Sequence, residues 1–205
     1  MNLKRSARRV AALVAVALLL ASGCGGNNDD AALEAVEVAP VEINGQSLGP
    51  LGESDDPALG RPVPGFSGTS ANNSPLEWTP GERPAAIVFL AHWCPACQAE
   101  VAELTDWLDA GNKLPEGVDL VSVVTLVDSG RDNYPPSQWL ANESWPFPVL
   151  VDSTDNEIAA ALGQAGTPFW VFVHADGTLA ARGSGRVLPD DLSRFFDLLL
   201  AAGGG

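Results

Sequence analysis

Two apolar runs, residues 85–91 without interruption and residues 118–127 broken only by Asp119, Ser122 and Thr125, leave few folds open to this chain of 205 residues. Runs of that length without a polar face suit strands buried on both sides, as in a parallel sheet covered by helices. Between them, Pro95 to Leu108 carries Val101, Leu104 and Leu108 at helical spacing, with Glu103 and Asp106 outside. A short helix is predicted over Pro136–Glu143, a strand over Phe147–Val151 and a helical turn or two over Glu157–Leu162. Phe169–His174, the turn Ala175-Asp176-Gly177-Thr178 and Leu179–Arg182 predict a β-hairpin with Asp-Gly at its tip. Pro189–Ala202 closes the pattern as an amphipathic helix, with Gly203 just past its end. The expected fold class is α/β.

The N-terminus has a different character. Lys4, Arg5, Arg8 and Arg9 precede an apolar stretch, Val10–Ala21, and no acid occurs before Asp29. An apolar segment of about a dozen residues is shorter than the ~20 that span a bilayer as a helix, and behind a cationic start it reads as a secretory signal over residues 1–23. Leu20-Ala21-Ser22-Gly23-Cys24 resembles the lipobox of bacterial lipoproteins, with Ala21 where Leu is usual. Cys24 would then be lipidated and become the new N-terminus, holding the protein at a membrane surface. The competing reading is an ordinary cleaved signal with a chance cysteine. Residues 24–57 read as a spacer rich in Gly, Asn, Asp, Ala and Pro. Within it, Ala35–Gly45 alternates apolar and polar residues before an Asn-Gly turn, which suits either a short strand or a bare tether.

Charge excludes one function class. With 11 Lys and Arg against 26 Asp and Glu, the net charge is −15, and no cationic cluster exists to neutralise phosphates, so nucleic acid is not an expected partner. Loss of the four N-terminal cations leaves 7 against 26, a net charge of −19. Three cysteines are too few for a disulfide-dense scaffold.

The reactive chemistry gathers in Ala91-His92-Trp93-Cys94-Pro95-Ala96-Cys97, where the first apolar strand meets the helix. Two cysteines separated by two residues can close a small disulfide ring. Free N–H groups at the helix start stabilise a thiolate on the first sulfur, Cys94. Such settings bring a cysteine pKa from about 8.5 to roughly 3.5–7.5, and thiolates are the nucleophiles of disulfide exchange. Cys97, one turn further in, is expected to be less exposed and to act second.

Other uses of the pair fit less well. A zinc site needs two more ligands, and besides Cys24 only His92 and His174 remain, so no metal is expected. A purely structural disulfide closing so short a ring constrains little unfolded-chain entropy. A peroxiredoxin-type peroxidase wants Thr three residues before its reactive cysteine, and Ala91 stands there.

Residues 58–205 are expected to form one domain, and over roughly residues 58–201 the chain resembles the thioredoxin superfamily, and more narrowly the membrane-tethered, extracytoplasmic thioredoxin-like lipoproteins of the TlpA and ResA kind. The resemblance rests on Trp93-Cys94-Pro95-Ala96-Cys97, on Gly166-Thr167-Pro168 before an apolar strand, and on the final hairpin and helix. Asp56-Pro57-Ala58, Asn133-Tyr134-Pro135-Pro136 and residues 145–152 look like the actinobacterial branch. It implies a thioredoxin fold, a central mixed sheet flanked by helices with a short N-terminal extension. It also implies a cis Pro168 facing the dithiol, with Thr167 presenting its backbone to an extended substrate segment. The alternative is a trans proline at a strand's first residue.

Glu100, three residues past Cys97, falls on the same side of the helix. The matching residue in ResA-like proteins is also Glu and is thought to handle protons for the dithiol; the other reading is a solvated acid near a helix start. Cytosolic thioredoxins place a buried Asp six residues before the first cysteine, where this chain has Val88. His92 is expected on the surface without a catalytic part, and Trp93 to shield the dithiol and offer partners an apolar platform. The other tryptophans, Trp78, Trp107, Trp139, Trp145 and Trp170, are expected in core or rim packing.

The function so implied is an extracytoplasmic thiol-disulfide oxidoreductase, lipid-anchored on the outer face of the cytoplasmic membrane, which reduces disulfides of exported proteins. Apocytochrome c and misoxidised secreted proteins are the clients the resemblance suggests, and a membrane thiol reductant such as a CcdA or DsbD-like protein would restore the thiols. The redox group is the Cys94–Cys97 disulfide, with no metal or organic cofactor. A disulfide-forming oxidase and a non-catalytic binding lipoprotein are the alternatives.

Overall fold

The chain is described by a computed structural model over residues 36–52 and 55–203; the signal segment and Cys24 lie outside the described residues. The strands are β1 (Glu42–Asn44), β2 (Gly65–Thr69), β3 (Pro75–Trp78), β4 (Ala85–Leu90), β5 (Asp119–Val124), β6 (Val149–Val151), β7 (Phe169–Val173) and β8 (Leu179–Ser184). The helices are α1 (Pro95–Asp109), α2 (Pro136–Asn142), α3 (Glu157–Leu162) and α4 (Pro189–Gly203).

All six residues of β4 are buried, because β4 is the centre of a five-stranded sheet in the order β6-β5-β4-β7-β8. It runs parallel to β5 and antiparallel to β7, so the sheet is mixed. Successive side chains of a strand point to opposite faces. Ala86, Val88 and Leu90 accordingly meet Val101 and Leu104 of α1, Trp139 and Leu140 of α2 and Leu192, Phe196 and Leu199 of α4. Ala85, Ile87 and Phe89 meet Ile158 and Leu162 of α3, together with Phe66 and Trp78. This is the thioredoxin fold, a mixed sheet between helices.

A second, three-stranded antiparallel sheet, β1-β2-β3, completes the α3 side. Strands β2 and β3 have no counterpart in the sequence reading, since Gly65, Gly68 and Pro75 weaken the strand pattern. What holds them is a cross-strand pair: Phe66 faces Trp78, their rings stacked with centroids 5.2 Å apart.

The spacer expected up to residue 57 needs correction over its described part. Ala39 and Leu48 are buried, and their amides donate to the carbonyls of Asp152 and Ala161 at 3.3 and 2.9 Å. Asp56 pairs through both oxygens with Arg182, at 2.7 and 2.8 Å. The folded domain therefore begins well before residue 58. Its isolated apolar residues carry no periodicity, and their partners lie more than a hundred residues away, so nothing local announces them.

Candidate active site

At the carboxyl end of β4 the chain leaves the sheet and turns straight into α1. Cys94 occupies the N-cap with extended backbone (φ −81°, ψ 116°), and Pro95 takes the first helical position. The Cys94 amide donates to the Ala91 carbonyl at 3.0 Å, and its own carbonyl accepts the Gln98 amide at 3.0 Å, the first bond of the helix. Proline at that position suits a helix start, since its missing N–H would have had no partner in the helix. The amides of Ala96 and Cys97 are left for the Cys94 sulfur.

The two thiols sit in unequal surroundings. Cys94 keeps 8% of its surface exposed and Cys97 none. Both are free thiols. Burial pushes the Cys94 thiol up, yet hydrogen bonds from the Thr167 side chain, the amides of Cys97 and Ala96 and the Cys97 thiol outweigh it and hold the group below its ordinary value. Burial pushes Cys97 up to about 12, and the neighbouring Cys94 adds to that. One sulfur is thus set to ionise and the other to keep its proton.

Across the sheet edge, the Cys94 thiol donates to the Thr167 carbonyl at 3.3 Å. The Thr167–Pro168 peptide is cis, and Pro168 leads directly into β7, the antiparallel neighbour of β4. Sheet topology thus brings Trp93, Cys94, Cys97, Thr167 and Pro168 together.

Glu100, one turn beyond Cys97, is 3% exposed. The solvated-acid reading is therefore replaced by a buried carboxyl. Both its oxygens accept the Val187 amide at 3.1 Å, and Arg186 Nε stands 3.9 Å away while also pairing with Glu103. Burial pushes the Glu100 carboxyl up to about 7, against the opposing pull of the Val187 amide and Arg186. Val187 and Arg186 escaped the sequence reading because one contributes only its backbone and the other lies 86 residues downstream of Glu100.

His92 is not the surface residue expected from its place before Trp93. Its ring is fully buried, bonded to the backbone of the loop between β5 and α2 at Asp128 and Asp132. Trp93 is half-buried, its indole N–H donating to the Leu126 carbonyl at 2.8 Å, and the Arg131 guanidinium lies over its ring. Arg131 was missed as well, since a lone arginine in a polar loop carries no signal of its own. Trp78, Trp139, Trp145 and Trp170 are buried.

The Redoxin family model matches residues 58–199. Among solved structures, a secreted Mycobacterium tuberculosis disulfide oxidoreductase homologous to E. coli DsbE is 25% identical, with a TM-score of 0.52 over 64% of this chain and 94% of that one. The MTB protein dsbF is 24% identical, with a TM-score of 0.52 over 65% of this chain and 93% of its own. A thiol:disulfide interchange protein of the thioredoxin family from Chlorobium tepidum is 20% identical, with a TM-score of 0.56 over 70% and 98%. The last two likenesses speak for the fold alone. No curated protein matches the chain. The matched model spans well over half the sequence and includes both cysteines, and on that ground the chain belongs to the Redoxin family, as a protein thiol-disulfide oxidoreductase.

Proposed function

We propose that the protein reduces disulfides of exported polypeptides outside the cytoplasmic membrane, as a lipoprotein of the TlpA and ResA type with actinobacterial-like sequence. The observation that carries this reading is the unequal dithiol: a partly exposed Cys94 held below its ordinary pKa beside a fully buried Cys97 pushed up to about 12.

In the reductive direction the Cys94 thiolate attacks one sulfur of a client disulfide. The client S–S bond breaks, a Cys94–client bond forms, and the departing client thiolate takes a proton. Cys97 then gives up its proton and its sulfur attacks Cys94, closing the Cys94–Cys97 bond and releasing the second client sulfur, which is protonated in turn. Two electrons and two protons pass from the dithiol to the client. Glu100, near neutrality and a helical turn from Cys97, is the group of the right basicity to accept the Cys97 proton. Thr167 offers backbone to an extended client segment lying beside Cys94, and Trp93 an apolar platform. Neither a metal nor an organic cofactor takes part.

The cationic, then apolar N-terminus and the Leu20–Cys24 motif support export and lipid attachment at Cys24 on the outer face of the cytoplasmic membrane. Among the described residues no helix is long and apolar enough to cross a membrane. Apocytochrome c and misoxidised secreted proteins are the proposed clients, and a CcdA or DsbD-like membrane protein the source of electrons.

The lowered Cys94 thiol also suits the opposite direction, because a stabilised thiolate makes the disulfide form more oxidising. The reduction potential separates the two. A value near −270 mV, roughly that of thioredoxin, marks a reductant, and one near −120 mV an oxidase. A Cys97→Ala variant should accumulate mixed disulfides through Cys94; a protein that only binds partners would form none.

A further inference from the structure

The loop from Leu126 to Tyr134, between β5 and α2, is exposed along most of its length but firmly attached to the segment that carries the nucleophile. The attachment runs through His92. An amide can only donate and a carbonyl only accept, so the partners assign the ring: Nδ1–H donates to the Asp132 carbonyl at 2.7 Å, and Nε2 accepts the Asp128 amide at 3.2 Å. Neither nitrogen is left for proton transfer at the dithiol. The His92 carbonyl also accepts the side-chain amides of Gln98 at 2.9 Å and of Asn133 at 3.4 Å. One residue later, Trp93 donates its indole N–H to Leu126.

These bonds place Arg131 over the Trp93 ring, its guanidinium carbon 4.5 Å from the centroid. Trp93 precedes Cys94 directly, so a cation lies over the side chain next in sequence to the reactive cysteine, in a chain whose net charge is −15. Among the described residues Arg131 forms no ion pair. The Asp128 carboxylate on the same loop accepts the Gly130 amide instead, at 2.9 Å. A guanidinium laid on an aromatic ring has already lost much of its rotamer freedom, so gripping a partner costs it less. Its N–H donors match a carboxylate in shape and charge. Asp128 and Asp132 share the loop with Arg131, so what favours a carboxylate partner there is not the loop's net charge but the guanidinium's fixed seat on the Trp93 ring, with exposed donors turned to no acid of the described residues.

We propose that Arg131 is a specificity-determining residue that grips a carboxylate of the client polypeptide within a few residues of the half-cystine under attack, with His92 as the positioning residue that holds it there. The proposal rests on the disulfide-exchange reading above and deepens it by naming the client chemistry preferred.

The test uses the full chain, reduced beforehand, and two peptides of one sequence, each with an internal disulfide flanked by either Asp or Lys. The wild-type protein is expected to reduce the Asp peptide about three- to five-fold faster, the range of an exposed ion pair, and to lose most of that preference in concentrated salt. Arg131→Ala should bring the ratio to about one, and Arg131→Glu should invert it. His92→Asn should also bring the ratio toward one; should that variant not fold, Asp128→Pro removes the same hydrogen bond from the loop side. Equal rates for the two peptides, a wild-type preference for the Lys peptide, or a ratio indifferent to Arg131→Glu would overturn the proposal. A protein that reduces neither peptide, nor a small aromatic disulfide, would instead sink the exchange reading itself.

Discussion

The sulfur of Cys94 and the carbonyl of Thr167, 73 residues apart in sequence, meet at 3.3 Å. The contact joins a helix N-terminus to a residue two positions ahead of β7, where Cys94 keeps 8% of its surface exposed and Cys97 keeps none. The asymmetry is directly measurable.

Alkylation at pH 7 should therefore modify Cys94 far faster than Cys97, by at least a hundred-fold when the sites are resolved by mass spectrometry. The Cys94 rate should rise with pH at a lower midpoint than that of a free cysteine, since its thiol is held below the ordinary value. Cys97, pushed up to about 12, should show no plateau below pH 10. Equal labelling of the two sulfurs would refute the assignment of roles.

Glu100→Gln should slow release of trapped mixed disulfides in the second step of exchange and remove a pH dependence centred near neutrality. The same substitution has a stability signature. Folding raises the Glu100 pKa from 4.5 to about 7, so the folded state binds the extra proton. That contribution is fully present below about 4.5 and is lost as pH rises through about 7, on the order of 2–3 kcal/mol across the window. Denaturant titrations at pH 4.5 and 8 should show the wild type losing this stability and Glu100→Gln retaining it.

Arg182 is a buried guanidinium that bonds both oxygens of Asp56 and the carbonyls of Gly49 and Leu162. Removing one partner of such a pair leaves the other uncompensated, so Asp56→Ala should cost about 3–5 kcal/mol by denaturant unfolding. Asp56 has its pKa lowered, chiefly by its hydrogen bond to Arg182, so its contribution is present at neutral pH and fades as pH falls through its folded value. That is the opposite sign to Glu100. Gly163→Ala should destabilise the same junction, because φ there is +75° and a Cβ would run into the Gly49 carbonyl and the Arg182 guanidinium.

Cys24→Ser should release the protein from the membrane fraction into the soluble extracytoplasmic one, followed by fractionation and immunoblotting. Unchanged membrane association in that variant would count against lipid attachment.

Much of the architecture was readable along the chain because it depends on neighbours within one or two turns. The run Ala85–Ala91 became β4, and Glu157–Leu162 formed α3 with the predicted bounds. The small sheet was not readable. Gly65, Gly68 and Pro75 hide its strands, and it holds together through Phe66 against Trp78.

What the sequence alone determined is the placing of two cysteines one turn apart at a helix start, with Cys94 at the outer end. A cysteine at a helix start, a proline after it and a second cysteine one turn on set a local geometry that needs no distant partner. Tertiary structure decided the rest. It buried His92 and gave its ring to a loop more than thirty residues away, buried Glu100 beneath the Val187 amide, and drew the segment before residue 58 into the core. Burial and desolvation belong to surfaces that meet only after folding, and no local pattern of residues encodes them.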